Sequence, residues 1–286
     1  MTERAPDPAT DPDETEILLP GGDVTVGVVR VSGTVRRPTN RNSPFVHALL
    51  RHLEGVGFDG APRFLGLDEK GRETLTFVEG EVAGRPRPDW IADEGRLVSV
   101  AELVRRYDDA TTTFVPPDGV RPDRGIAADP PGTPPAPVGE PEIVGHLDIT
   151  PENVVFRDGR AVALIDFDLA GPATRVDELA NLLLWWAPLF DPADRDPLLR
   201  DVDVAARARL VLDAYGASDS DRARVVDVVL ARTARAWFLM RHRAVTLGGG
   251  WARMWDEGVG DVILRRRAWI EANGAALRSA CAACAR

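Results

Sequence analysis

The chain has 286 residues, enough to bury one large core or two lobes, and its 44% hydrophobic and 28% charged content is ordinary for a globular protein. A net charge of −10 argues against a nucleic-acid partner, which would want a basic face. No apolar run approaches the ~18 residues that span a bilayer, so no membrane partner is expected. The acidic, proline-rich start has no signal-peptide core, so residues 1–15 read as a disordered tail and the protein as cytoplasmic.

From residue 16 to about 80 short β-branched runs alternate with turns. TEILL, VTVGVVRV and TVRR, separated by PGGD and SG, predict a three-stranded meander. SPFVHALLRHLEGVG follows as a helix, with Ser43 at the N-cap, Pro44 at N1, and Val46, Leu49, Leu50 and Leu53 on one face. APRFLGLDEKGRETLTFVEG then returns as a hairpin turning near DEKGR. From about residue 90 the pattern is helical, first in RLVSVAELVRRYDDATTTF. Residues 115–141 are crowded with proline and glycine, a long surface loop. Beyond residue 171, VDELANLLLWWAPLF, DVAARARLVLDAYG, DRARVVDVVLARTARAWFLMRHRAVTLG and GDVILRRRAWIEANGAALRSA all keep three- and four-residue apolar spacing. GGGWARMW reads as a glycine-rich turn with two tryptophans, a candidate lip over a substrate. Cys281 and Cys284 form a lone pair that cannot complete a zinc site, and read as incidental in a frayed tail.

The chemistry concentrates in GHLDITPENVVFRDGRAVALIDFDLAG, residues 145–171. NVVF and AVALI, joined by RDGR, predict an antiparallel hairpin. Asn153 enters the first strand and Asp166 leaves the second, so both converge at the open end with Asp148 close by. Oxygen donors of this kind suit Mg²⁺, which fills the rest of its shell with phosphate and water. Asp148 is then left to orient or deprotonate a hydroxyl.

This constellation resembles the aminoglycoside phosphotransferase and choline kinase families. Their pattern, H-x-D-x-x-x-x-N followed by I-D-[FWY], stands here as His146, Asp148, Asn153, Ile165, Asp166 and Phe167. The resemblance implies an α+β, bilobal protein-kinase-like fold. A small strand-rich nucleotide-binding lobe would span 16–80, and a larger, mainly helical lobe 81–286, with the catalytic hairpin at 143–171. It implies Asp148 as the catalytic aspartate, and Asn153 and Asp166 as holders of Mg²⁺ at the phosphates of ATP. His146 would be structural, and Asp177 would bond the catalytic-loop backbone. Phe77, Val78, Glu79 and Gly80 would be the hinge at adenine. Asp168 would reach the metal or merely cap its turn.

Two departures from that pattern stand out. The usual small-lobe lysine is missing, since the sole lysine, Lys70, lies in the DEKGR turn. Arg37, or Arg36 after a one-residue slip, takes its place on TVRR, while Val46 or His47 stands where the partner glutamate belongs. Leu147 replaces a glycine in the catalytic loop, where a side chain resists positive φ. At the acceptor end, acids between Asp191 and Asp203, with Asp256, Glu257 and Asp261, are compatible with a cationic substrate. The expected activity is transfer of the ATP γ-phosphoryl group to a hydroxyl of an aminoglycoside-like antibiotic or metabolite. The alternatives are a kinase for another amino alcohol, sugar or nucleoside antibiotic, and a pseudokinase binding module lacking the lysine–glutamate pair.

Overall fold

The computed structural model describes residues 15–19, 27–126, 128–137 and 139–282. Residues 1–14 of the expected tail, the PGGD turn and Cys284 lie outside the described residues. Strands β1 (Ile17–Leu18), β2 (Val29–Val31), β3 (Thr34–Arg37), β4 (Phe64–Leu67) and β5 (Glu73–Thr76) form one antiparallel sheet in the order β1-β2-β3-β5-β4. The β4–β5 turn is closed by Asp68, whose Oδ1 accepts from the amides of Lys70 and Arg72. That turn fixes the register downstream, and opposite the end of β3 it sets Glu73 directly against Arg37.

Helix α1 (Ser43–Gly55) buries Phe45, Val46, Leu49, Leu50 and Leu53, the apolar stripe of its sequence. Its N-cap position is Asn42, not Ser43, because the Ser43 hydroxyl is taken up accepting from the Asn40 amide. Asn42 in turn donates to the carbonyls of Asp168 and Ala170 and accepts from the Asp123 amide. One amide side chain thus ties α1 both to the 145–171 segment and to the long loop.

The rest is mainly helical. Strand β6 (Glu81–Val82) leads to α2 (Glu94–Thr111), started by Asp93, whose carboxylate accepts from the Arg96 amide. Strands β7 (Ile143–Gly145), β8 (Val154–Arg157), β9 (Arg160–Leu164) and β10 (Gly171–Ala173) follow, with β6-β8-β9 and β7-β10 as two small antiparallel sheets. Helices α3 (Arg175–Trp186), α4 (Val204–Tyr215), α5 (Asp219–Thr246), α6 (Gly249–Asp256) and α7 (Val259–Ala282) complete the chain, with α7 packed along α5. One continuous core joins Leu49 of α1 to Tyr107, Phe156, Leu179, Val225 and Ile270.

Two expectations need correction. GGGWARMW is not a turn, since residues from Gly249 onward form α6 after a kink at Gly248 and Gly249, both at positive φ. Its tryptophans are half-buried: Trp255 meets Trp237 edge-on at 5.5 Å, and Trp251 lies under Arg243. Cys281 belongs to α7 and to the core instead of a frayed end, because the apolar spacing of that helix runs through it. No helix among the described residues is long and apolar enough to cross a membrane.

The described part of the 115–141 loop lies on the surface, as expected, and is fastened there. It lies antiparallel along α5: Gly125 packs against Leu247, Gly132 against Phe238, and Gly139 approaches Arg224. Arg235 fastens its middle, pairing with Asp129 at 2.6 Å and donating to the Pro134 carbonyl.

Candidate active site

In the β8–β9 hairpin Val154 pairs with Leu164, and the Ile165 amide donates to the Asn153 carbonyl at 2.9 Å. Asn153 and Asp166 therefore leave the hairpin side by side. The Asn153 Nδ2 donates to Asp148 twice, to the main-chain carbonyl at 2.9 Å and to the carboxylate at 3.1 Å. These bonds orient the amide and leave its Oδ1 as the atom free to accept a cation. Asp166 sits at φ +63°, a left-handed conformation uncommon for a residue with a side chain.

Asp148 is largely enclosed, and burial, with Asp166 and Glu152 adding like charge, pushes its carboxyl up to about 7. His146 is fully buried beside Phe167, and its Nε2 donates to the Ile165 carbonyl at 3.0 Å. Burial pushes the imidazole down to about 4, so it stays neutral and ties the loop before Asp148 to the strand before Asp166.

Helix α3 holds the 146–149 loop from beneath. Glu178 accepts from the amides of His146 at 2.6 Å and Leu147 at 3.0 Å. One turn on, Asn181 donates to the Leu147 carbonyl at 3.0 Å and accepts from the Ile149 amide at 2.7 Å. Trp186 donates to the Ile149 carbonyl at 2.9 Å. These bonds impose φ +62° on Leu147, and its side chain settles into a small cluster with Ile143 and Ala173. Leucine is accepted here because five side-chain hydrogen bonds to the loop and an apolar niche outweigh its backbone strain.

The carboxylate on the loop backbone is thus Glu178, not Asp177. Asp177 instead closes a capping box with Thr174 at the start of α3, and its Oδ1 lies 3.4 Å from Arg232. A helix places neighbours 100° apart, so only one of two consecutive acids can face the loop. Glu178→Gln offers a single carbonyl oxygen to two buried amides. It is expected to lower stability by about 1–2 kcal/mol, read from the urea midpoint.

The arginine pair resolves by burial. Arg37 is 7% exposed and faces Asp166 and Asp168, while Arg36 is half-buried. The Arg37 guanidinium reaches Asp166 Oδ1 at 3.0 Å, pairs with Asp168, and places Nε 2.6 Å from Glu73 Oε1. Burial opposes its charge, but Asp166, Asp168 and Glu73 together outweigh that and hold it above its usual range. The partner carboxylate missing from the Val46–His47 position is therefore supplied elsewhere. Glu73, 2% exposed, comes from the neighbouring strand instead of from α1, and His47 of α1 completes the group with Nε2 2.7 Å from Glu73 Oε2. Only the register of β3 against β5, which composition cannot supply, points to Glu73. Asp168 caps no turn: its carboxylate is engaged by Arg37 and raised by burial despite that pairing.

The 77–80 segment crosses from β5 to β6. The Phe77 amide donates to the Gly33 carbonyl, and Arg30 stacks on the Phe77 ring at 3.8 Å while pairing with Glu79 at 2.6 Å. Arg157 donates to the Glu79 carbonyl. Gly80 takes φ +152° against Phe156, whose carbonyl oxygen would lie 2.4 Å from a Cβ there, so this crossing requires glycine. Val78 lines a surface hollow with Leu103, Arg157 and Ala161, apart from Asp148, Asn153 and Asp166.

Among the described residues no three His, Cys, Asp or Glu side chains form a metal cage. The donors on offer are Asn153 Oδ1 and the Asp166 carboxylate, a sparse hard-oxygen set. It fits a cation that takes much of its shell from phosphate and water.

The family model described as "Phosphotransferase enzyme family" matches residues 120–212. The trifolitoxin immunity protein of Rhizobium leguminosarum bv. trifolii is 38% identical over 220 residues, covering 75% of this chain and 79% of that protein. In fold, the chain is similar to a choline/ethanolamine kinase family protein from Mesorhizobium loti, with TM-score 0.59, 15% identity, and coverage of 94% of this chain and 92% of that one. It is similar also to APH(2'')-IIa in complex with gentamicin, with TM-score 0.56, 12% identity and coverage of 90% and 91%. A third is amicoumacin kinase hAmiN in complex with AMP-PNP, Ca²⁺ and Ami, with TM-score 0.54, 14% identity and coverage of 92% and 89%.

Proposed function

The chain belongs to the phosphotransferase enzyme family, and from that premise we propose that it moves the γ-phosphoryl group of ATP to a hydroxyl of a small, antibiotic-like molecule. The observation that carries this reading is the convergence of Asp148, Asn153, Asp166 and Arg37 at the open end of the β8–β9 hairpin. Residues 16–80 act as the nucleotide lobe, with 77–80 as the adenine hinge, and 81–286 as the acceptor lobe. Asn153 and Asp166 hold Mg²⁺, which when bound neutralises phosphate charge. Arg37, pre-set by Glu73, grips the phosphates with a planar fork.

Asp148 orients the acceptor hydroxyl and takes its proton as the oxygen bonds the γ-phosphorus. The bond from that phosphorus to the β,γ-bridging oxygen breaks, and ADP leaves. The name of the trifolitoxin immunity protein supports an acceptor that is a toxin or antibiotic. The pseudokinase alternative rested on a missing ion pair, and the Arg37–Glu73 contact removes that motive. The test is ADP release from Mg²⁺ and ATP across a panel of hydroxyl-bearing antibiotics, beside thermal shift with ATP alone and with Mg²⁺. Metal-dependent stabilisation and acceptor-dependent ADP release are expected. A protein indifferent to nucleotide in both assays would be a binding module without this chemistry.

A further inference from the structure

On the reading that Asp148 faces the acceptor hydroxyl, we propose that the acceptor is an anion whose carboxylate or phosphate group docks between Arg124 and Arg243. A polycation would want free carboxylates around the site, and several acids of the helical part are otherwise engaged. Asp191 and Asp196 cap short turns, and Asp203 caps α4. Asp194 pairs with Arg265 at 2.6 Å, and Asp177 is held by Thr174 and Arg232.

Near the catalytic loop stand two arginines, Arg124 and Arg243. Arg124 lies beside Gly171, its Cζ 3.5 Å from where a Cβ there would stand. Gly171 pairs with Gly145, the residue directly before the 146–148 loop. The adjoining Gly125 packs on Leu247, one helical turn beyond Arg243, so loop and helix bring the two guanidinium groups to one corner. Arg243 lies over the Trp251 ring at 4.7 Å, and its Nε is enclosed without a hydrogen-bond partner.

Neither Arg124 nor Arg243 has a carboxylate within ion-pair reach among the described residues. Burial, then the Arg124 charge, lowers Arg243 to about 10, while Asp148 works the other way. Two like charges held at one corner, Arg243 half-buried and Arg124 exposed, repel in the free protein, and an anionic ligand relieves that repulsion. Trp251 adds a flat apolar wall beside that anion position.

The test saturates the full chain with Mg²⁺ and AMP-PNP, so that the phosphate-binding side is filled. It then titrates malate, inorganic phosphate or choline at matched ionic strength, by calorimetry and melting. An oxyanion should bind and raise the melting temperature. Arg124→Gln and Arg243→Gln should each weaken it about tenfold or more, and Arg243→Lys should keep most of the affinity. Binding of malate without phosphate assigns a carboxylate, and the reverse assigns a phosphate. Absence of oxyanion binding, or affinity unchanged in both glutamine variants, overturns the proposal. Nucleotide binding accompanied by choline binding alone sinks only the anion assignment. Failure to bind AMP-PNP with Mg²⁺ sinks the phosphotransfer reading as well.

Discussion

Asp148→Asn is expected to cut turnover by about 10²–10⁴ while leaving nucleotide affinity nearly unchanged. The substitution keeps shape and the contact with Asn153, but removes the charge that would orient the acceptor hydroxyl and accept its proton. Asp166→Asn should differ by weakening metal–nucleotide binding together with turnover. Because the Asp148 carboxyl is pushed up to about 7, its basic form is gained only as pH rises through that value. Turnover of the parent should therefore climb through about pH 7 and then level off, and the residual turnover of the variant should lack this step. Stability should run the opposite way. Between the ordinary value of 3.8 and about 7 the folded protein keeps a proton that the unfolded chain has lost, so stability falls as pH rises across that window. Asparagine has no such penalty, and above pH 7 the variant should be the more stable by on the order of 2 kcal/mol, a gain that vanishes below about pH 4. Paired measurements of nucleotide affinity, phosphate transfer and melting across pH check this. Full turnover in Asp148→Asn would remove the proposed role.

What could be read from the sequence, and what could not, divides along physical lines. The hairpin was legible because two apolar runs around a short polar turn admit one antiparallel pairing, and that pairing decides where Asn153 and Asp166 emerge. Helices α1 to α5 and α7 were legible because each has an apolar stripe or a capping residue. Helix α6 was missed because its eight residues are too short for periodicity to outweigh two glycines. Glu73 was hidden for a different reason. Its partner lies on another strand, and only the register, set by Asp68 in the turn, brings it to Arg37. Glu178 and Asp177 are adjacent acids that composition cannot tell apart, while helix phase does. Arg124 was least legible, because nothing in a proline-rich surface loop tells which element it packs along.

Arg37→Ala is expected to be the most destabilising single change at the site, by about 3–5 kcal/mol. The guanidinium is the cation shared by Glu73, Asp166 and Asp168, and Glu73 is almost fully enclosed. Removing it leaves that carboxylate with His47 as its remaining ring partner, at 2.7 Å, and leaves Asp166 and Asp168 as adjacent like charges. The loss should shrink in Arg37→Ala/Glu73→Ala, since the buried carboxylate then goes with its partner; a double-mutant cycle in urea reads the coupling. Nucleotide affinity, measured well below the melting temperature, should fall by about 1–3 kcal/mol in Arg37→Ala and much less in Arg36→Ala. Arg37→Lys separates the two roles. Lysine keeps the positive charge for phosphate but lacks the planar fork that reaches three carboxylates at once, so nucleotide affinity should survive better than stability. If Arg37→Ala and Arg36→Ala behaved alike in both assays, neither the structural clamp nor the phosphate contact could be assigned to Arg37.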